Sequence, residues 1–129
     1  GKAQEKVLGE RLLKKAAQRL VDALEVNTTV ARIQADEFVI LLKHLHHHEE
    51  FETVAKSLLQ AFAEPVVAEG YELFLSPAIG ISLYPDDGAG GDELIAHAKL
   101  AMKHAYRHGQ SRYGFYHKGL AAKPKSLSS

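Results

Sequence analysis

A continuous apolar run at residues 38–42 constrains the fold of this chain more than any other segment. The run, FVILL, is typical of a buried strand and is far too short to span a bilayer. A β-branched segment at residues 29–33 precedes it, and only the four residues QADE separate the two. The sequence therefore predicts a β-hairpin whose second strand is buried.

Helical periodicity surrounds this hairpin. Between residues 3 and 24, an apolar residue recurs at every fourth position, which are Leu8, Leu12, Ala16, Leu20 and Leu24. Similar stripes predict helices over residues 49–62 and from Asp92, as the N-cap, to a stop at Gly109. Extended segments follow at 71–75, 78–84 and 112–116. The order α-ββ-α-ββ-α-β predicts an α+β sandwich, with helices packed on a largely antiparallel sheet.

Composition limits the class of protein. A chain of 129 residues that is 46% hydrophobic suits one globular domain and excludes a disordered or fibrous chain. The absence of cysteine excludes disulfides and thiolate metal sites, and fits a reducing compartment. The net charge of zero is uneven: residues 34–93 carry twelve acidic and two basic side chains, whereas residues 94–129 carry seven basic and no acidic ones. This basic end suits a phosphate, a nucleic acid or an acidic partner, or pairs with the acidic middle.

Five short segments, in a fixed order between residues 9 and 116, carry a family resemblance. The sequence RIQADEFVILL at 32–42 resembles the signature hairpin of GGDEF domains, the diguanylate cyclase family of bacterial signalling. GERLL at 9–13 resembles the family's Gly-Asp-x-Leu-Leu helix start, and AIGISLYP at 78–85 resembles its Ser-Ile-Gly-Ile-Ala strand with the following Tyr-Pro. HAKLAM at 97–102 resembles its Ala-Asp-x-Ala-Met helix, and residues 112–116 resemble its closing strand.

The resemblance implies a nucleotide-cyclase palm-like sandwich over residues 1–117. The family's first helix and its central first strand, which carries a metal-binding Asp, have no counterpart before Gly1. We therefore expect the natural chain to continue upstream, and a domain without that strand to leave two strand edges unpaired. Residues 118–129 are predicted to be a tail or linker, and in this family such linkers often lead to an EAL phosphodiesterase domain.

The signature hairpin departs from the family where nucleotide chemistry needs it. The resemblance implies that an active member is one half of an enzyme: two such domains face each other, and each holds one GTP and Mg²⁺. The two glycines of the motif, which let backbone approach the nucleotide, are Gln34 and Ala35 here. Asp36 and Glu37 keep the acidic pair, of which Asp36 would be the Mg²⁺ ligand, and Phe38 keeps the core anchor.

The phosphate contacts depart as well. The resemblance places Tyr106 and Gln110 where the family has cations, and Glu10 where it has a guanine-contacting Asp. Lys103 and Arg107 are the nearby substitutes, so any nucleotide site would use Glu10, Lys103 and Arg107. The family's inhibitory Arg-x-x-Asp corresponds to residues 25–28, EVNT, so no product-inhibition site is expected. These changes together predict a vestigial catalytic site.

Three other patterns have simpler readings. Residues 90–94, GGDEL, imitate the signature, but the helical stripe begins at once, so we assign them to a helix start. The histidines at 44 and 46–48 favour a solvated loop over a metal site. His104 and His108, four residues apart, favour an exposed helical face over a shared metal.

The favoured hypothesis is a degenerate GGDEF domain, from a GGDEF–EAL type protein, that serves as a regulatory or dimerisation module in cyclic-di-GMP signalling. It would work beside an upstream sensor and an EAL domain, as a homodimer, in the cytoplasm or the cytoplasmic part of a membrane-associated protein. It would need no cofactor, would bind GTP weakly or not at all, and would bind Mg²⁺ only with a nucleotide. One alternative is a weak diguanylate cyclase that uses Asp36 and Glu37 with one Mg²⁺. Another is a module that binds an acidic protein, or less readily nucleic acid, through its basic end.

Overall fold

A computed structural model describes residues 1–24, 28–108 and 113–121. Within these ranges, the helices and strands follow the order α1 (Lys2–Ala23), β1 (Thr29–Gln34), β2 (Glu37–Lys43), α2 (His48–Ala61), β3 (Val66–Ala68), β4 (Tyr71–Leu73), β5 (Ala78–Tyr84), α3 (Gly91–His108) and β6 (Tyr113–Phe115). A 3₁₀ helix at Lys118–Ala121 contacts α3, and its four residues open the predicted tail. No helix in this part of the chain is long and apolar enough to cross a membrane.

The predicted hairpin is confirmed. Strands β1 and β2 pair antiparallel, and Phe38, Val39 and Ile40 of β2 are each 0% exposed. The buried run therefore forms the inner strand, while β1 has its other edge open at one side of the sheet.

The α+β class with helices flanking a central sheet is also confirmed, but the prediction of a largely antiparallel sheet is wrong. The central sheet has the order β1-β2-β5-β6, and its β2–β5 and β5–β6 pairs are parallel. The reason is connectivity, since α2 with the β3–β4 pair crosses from β2 to β5, and α3 crosses from β5 to β6. Such crossovers return the chain in the same direction, whereas a tight turn reverses it.

The expected pair of unpaired inner edges does not occur either. Strand β2 pairs with β5 along its whole length, from Glu37 opposite Ala78 to Lys43 opposite Tyr84. In this chain the two buried strands therefore satisfy each other's backbone hydrogen bonds directly.

The third strand was missed, and the second predicted hairpin is paired differently. Strand β4 pairs with β3, not with β5, and the two form a separate two-stranded sheet. Glu69 and Gly70 join them with φ values of 52° and 82°, as a two-residue hairpin turn requires. The Val66-Val67 pair before this turn was the sequence signal for the missing strand.

One face of the sheet is closed by α3, which packs against β5 at very short range. A Cβ atom added at Gly80 would lie 1.8 Å from the carbonyl oxygen of Ala98, so only glycine fits there. The buried Ser82 hydroxyl donates a 2.7 Å hydrogen bond to the carbonyl of Leu94 on the same helix. These contacts fix α3 beside the hairpin, where the candidate site lies.

Basic side chains four residues apart on α1 hold the α2–β3–β4 segment. The Arg19 guanidinium donates hydrogen bonds of 2.5–3.0 Å to the carbonyls of Ala61, Glu64 and Pro65. Lys15 donates to the carbonyl of Val67 at 2.8 Å, and Arg11 pairs with Glu69. Part of the N-terminal positive charge is thus used by the fold itself.

Two predicted helix limits have different outcomes. Helix α3 begins at Gly91, so the prediction of Asp92 as its N-cap is wrong, and Asp92 is an acidic residue of the first turn instead. Gly109, the predicted stop, and Gln110 lie outside the described residues, as do residues 25–27 of the stretch at which no product-inhibition site is expected.

Candidate functional site

The tip of the signature hairpin keeps a glycine-like backbone without glycine. Gln34 pairs with Glu37, which leaves Ala35 and Asp36 as a two-residue turn. Ala35 has a φ of 41°, in the left-handed region that glycine favours and that costs an L-residue about 1–2 kcal/mol. The turn geometry is therefore retained, while a Cβ has been added at both positions that resemble the family's glycines.

The tip is tied to the sheet behind it. The Ala78 amide donates a 3.0 Å hydrogen bond to the Asp36 carbonyl, and Phe38 lies opposite Ile79 in the parallel register. This places the hairpin tip beside the first residue of β5 with the Asp36 side chain exposed to solvent.

A cavity of about 330 Å³ opens between the start of β2, the start of β5 and the last turns of α3. It brings together three residues that the sequence analysis singled out, Glu37, Lys103 and Arg107, with Tyr106 beside them. Ala78 and Met102 complete the lining. Their part was not predicted, although the helical spacing of Met102 from Tyr106 was a usable signal.

The two cations of this cavity form no ion pair with the described part of the protein. Lys103 and Arg107 are exposed, and among the described residues no ion pair includes either side chain. Their charges are therefore available to an anion at the cavity.

Glu10 lies elsewhere. Its carboxylate pairs with the Arg32 guanidinium of β1 at 3.0 Å, and it does not line the cavity. The structure therefore does not bring Glu10 together with Lys103 and Arg107, as the three-residue nucleotide site required.

The two carboxylates of the hairpin tip do not line the same cavity. Glu37 lines the cavity, whereas Asp36 does not. Across residues 1–24, 28–108 and 113–121, no three His, Asp or Glu side chains are grouped so that they could hold a metal ion.

The histidine cluster at 44–48 contacts carboxylates. His44 Nδ1 lies 2.7 Å from Asp86, and His48 lies 3.6 Å from Glu52. The Glu50 carboxylate accepts the backbone amides of residues 46 and 47 at the start of α2, and these hydrogen bonds lower the pKa of Glu50. The cluster therefore belongs to a loop and a helix start. The His108 side chain lies outside the described part of the chain.

The second Gly-Gly-Asp-Glu run lies at the helix start to which it was assigned. Leu94 donates its amide to the Gly90 carbonyl at 3.0 Å, and Glu93 accepts the Ala89 amide at 3.0 Å. No strand follows, because α3 begins at Gly91.

A cluster at the far end of β5 was not predicted. The His97 ring stacks on Tyr116 at a centroid distance of 4.1 Å, and its Nδ1 donates to the Asp87 carbonyl at 2.6 Å. The Leu83 amide donates to the Asp87 carboxylate at 2.7 Å. Burial raises the pKa of the Asp87 carboxyl above its usual range, and the Asp86 charge acts in the same direction.

Comparisons with known proteins agree with this geometry. Residues 6–112 match the family described as "Diguanylate cyclase, GGDEF domain". The chain is 34% identical over 115 residues to the bifunctional diguanylate cyclase/cyclic di-GMP phosphodiesterase MucR of Pseudomonas aeruginosa, covering 89% of this chain and 17% of that protein. It is 34% identical over 110 residues to the signaling protein YkoW of Bacillus subtilis, covering 84% and 14%.

Two solved structures are similar. An EAL/GGDEF domain protein from M. capsulatus has a TM-score of 0.65 and 28% identity, over 87% of this chain and 72% of that one. The GGDEF domain of PA1120 (TpbB or YfiN) from Pseudomonas aeruginosa has a TM-score of 0.67 and 26% identity, over 85% and 64%. The chain spans less than a fifth of the length of MucR and YkoW. It belongs to the GGDEF domain family of cyclic-di-GMP signalling proteins.

Proposed function

We propose that this domain is catalytically degenerate and regulates a cyclic-di-GMP signalling protein instead of making the dinucleotide. The observation that carries the proposal is the hairpin tip. Gln34 and Ala35 add two Cβ atoms where backbone must approach a nucleotide, and Ala35 bears the strain of a glycine conformation. The turn has the backbone shape that the hairpin needs, while the two added Cβ atoms occupy space that a nucleotide would need.

The composition of the cavity supports the same conclusion. Tyr106 lines it at the position where the resemblance requires a phosphate-binding cation. Asp36, the residue that resembles the metal ligand, lies outside it. Phosphoryl transfer depends on cations placed on the phosphates and on in-line positioning of the reacting groups, and this cavity supplies neither through the family's own residues.

The regulatory part of the proposal concerns the rest of the natural protein. MucR is named as a bifunctional cyclase and phosphodiesterase, and NbdA of Pseudomonas aeruginosa, 32% identical over 112 residues, is named as a cyclic di-GMP phosphodiesterase. We propose that this domain, in the cytoplasm, passes the state of a sensor to an attached EAL phosphodiesterase domain, with a second copy of itself as partner.

A product assay tests the loss of turnover. Incubation with GTP and Mg²⁺, followed by chromatography, is expected to give no cyclic-di-GMP from either the wild-type chain or Asp36→Ala. An active diguanylate cyclase run in parallel is the positive control. Cyclic-di-GMP formed by the wild type and abolished by Asp36→Ala would establish the weak cyclase instead.

A second assay tests regulation in the natural full-length protein. Phosphodiesterase turnover is compared between the intact protein and a version that lacks residues 1–117. We expect turnover to change several-fold on deletion. Equal turnover of the two, under the conditions in which the intact protein responds to its signal, contradicts a regulatory role.

A further inference from the structure

We propose that the cavity lined by Glu37, Lys103, Tyr106 and Arg107 binds a nucleoside monophosphate, a sugar phosphate monoester that carries an aromatic base, without a metal ion. This inference names the ligand of the proposed regulatory module and therefore rests on the proposed function. It assigns the phosphate to the two cations and the base to Tyr106.

The cations fit a single phosphate group. Lys103 and Arg107 are four residues apart on α3, so their Cβ atoms are about 5–6 Å apart and both heads reach one anion. Arg binds phosphate through two parallel N–H bonds, and Lys adds a mobile point charge.

The fold does not need these two charges. Three basic residues at the same spacing on α1 are engaged by the fold, since Arg19 and Lys15 bind backbone carbonyls and Arg11 binds Glu69. No such contact holds Lys103 or Arg107 within the described ranges. The positive charges of Lys103 and Arg107 are therefore available to a group from outside the domain.

The remaining surface of the cavity fits a flat apolar ring. Met102 and Ala78, both buried, contribute apolar lining, and Tyr106, which also lines the cavity, is 63% exposed. A nucleobase can stack on an exposed aromatic ring without base-specific hydrogen bonds, so the interaction suits several bases. A volume of about 330 Å³ is at the small end of ligand sites, which suits a mononucleotide.

Charge selects the number of phosphates. The two cations of the cavity carry a charge that matches one phosphate monoester, about −1.5 to −2 at neutral pH, and the Glu37 carboxylate reduces the net positive charge of the lining. A triphosphate brings more negative charge than the two cations neutralise, and proteins commonly hold it with Mg²⁺ as well. Glu37 therefore disfavours the longer phosphate chain.

Calorimetric titration of the 129-residue chain in the presence of a chelator tests the assignment. Guanosine and adenosine 5′-monophosphate are expected to bind with similar affinity, at a Kd of about 100 μM. Lys103→Ala and Arg107→Ala should each weaken binding about tenfold. Tyr106→Ala should do the same through lost stacking, and Tyr106→Phe should retain wild-type affinity because it keeps the ring.

Lys99→Ala is the matched control, because Lys99 precedes Lys103 by one α3 step of four residues and does not line the cavity. It should leave the affinity unchanged, and circular dichroism of each variant checks its folding. An equal loss in Lys99→Ala overturns the site in favour of general electrostatic attraction. Absence of binding at about 1 mM nucleotide, or tighter Mg²⁺-dependent binding of GTP than of the monophosphate, overturns the ligand.

The two proposals fail separately. Formation of cyclic-di-GMP in the product assay rejects the degenerate domain, whatever the titration gives. If the titration shows no nucleotide binding and the product assay shows no cyclic-di-GMP, only the monophosphate site is rejected.

Discussion

The backbone of Gly80 lies so close to Ala98 that a Cβ atom there would stand 1.8 Å from the Ala98 carbonyl oxygen. The opposing atom is helix backbone, which cannot rotate away as a side chain can. Gly80→Ala must therefore push α3 off the sheet, and we expect a loss of at least about 3 kcal/mol in the free energy of unfolding. Denaturant titration followed by circular dichroism measures it.

Gly9 is the matched control for this substitution. It lies inside α1, and a Cβ atom there meets nothing within 4 Å. Gly9→Ala should raise the free energy of unfolding by about 0.5–1 kcal/mol, because alanine is the better helix former. A Gly80→Ala chain as stable as the wild type would mean that α3 is free to shift outward.

The hairpin tip gives a second pair of substitutions with opposite signs. Ala35 has a φ of 41°, so Ala35→Gly removes a steric cost, and the free energy of unfolding should rise by about 0.5–1 kcal/mol. Gln34 belongs to β1, where glycine only adds freedom to the unfolded chain. Gln34→Gly should lower the same quantity by about 1 kcal/mol.

Thermal unfolding of the two variants separates fold from function at this motif. If both substitutions destabilise, the strain at Ala35 is relieved by neighbouring contacts, and the hairpin no longer reports a retained glycine geometry. Neither variant is expected to make cyclic-di-GMP, because Tyr106 still lines the cavity.

Local patterns predicted the elements well, because apolar period and turn chemistry act over a few residues. The hairpin, three helices and β5 all lie within a few residues of their predicted limits. Pairing between distant strands has no such local signal. The parallel β2–β5 ladder and the β3–β4 pair depend on which edge each strand meets after a crossover, so sequence order alone gave the wrong partners.

The candidate site was predictable to a similar extent. The sequence singled out Lys103 and Arg107 on one helix and Glu37 in the hairpin, but it did not predict that the three line one cavity. The motif gave no sign that Glu10 would lie apart from Lys103 and Arg107. Glu10 pairs instead with Arg32 of β1, which is 22 positions further along the sequence.

Arg19 fastens α1 to the end of α2. Its guanidinium donates to the carbonyls of Ala61, Glu64 and Pro65, and Arg19→Ala should cost about 2 kcal/mol in the free energy of unfolding. Arg19→Lys should recover less than half of the loss, because an ammonium group lacks the planar fork. Arg11→Ala, which breaks an exposed ion pair, should cost about 1 kcal/mol or less. Equal losses at positions 11 and 19 in urea titrations would contradict this division.

Asp87 makes the stability of the domain depend on pH. Burial raises the pKa of its carboxyl in the folded chain, so ionisation is harder in the folded than in the unfolded state. Below the unfolded pKa of about 4 the carboxyl is protonated in both states, and its contribution to stability is zero. As the pH rises through the window between the unfolded and the raised folded pKa, the unfolded state loses its proton first and stability falls.

Asp87→Asn keeps a side-chain oxygen for the Leu83 amide and removes the charge. The variant should therefore be more stable than the wild type at pH 7, with a gap that closes toward pH values of about 3–4. Unfolding midpoints measured across this range test the sign, and a gap that widens on acidification would show that the carboxylate stabilises the fold.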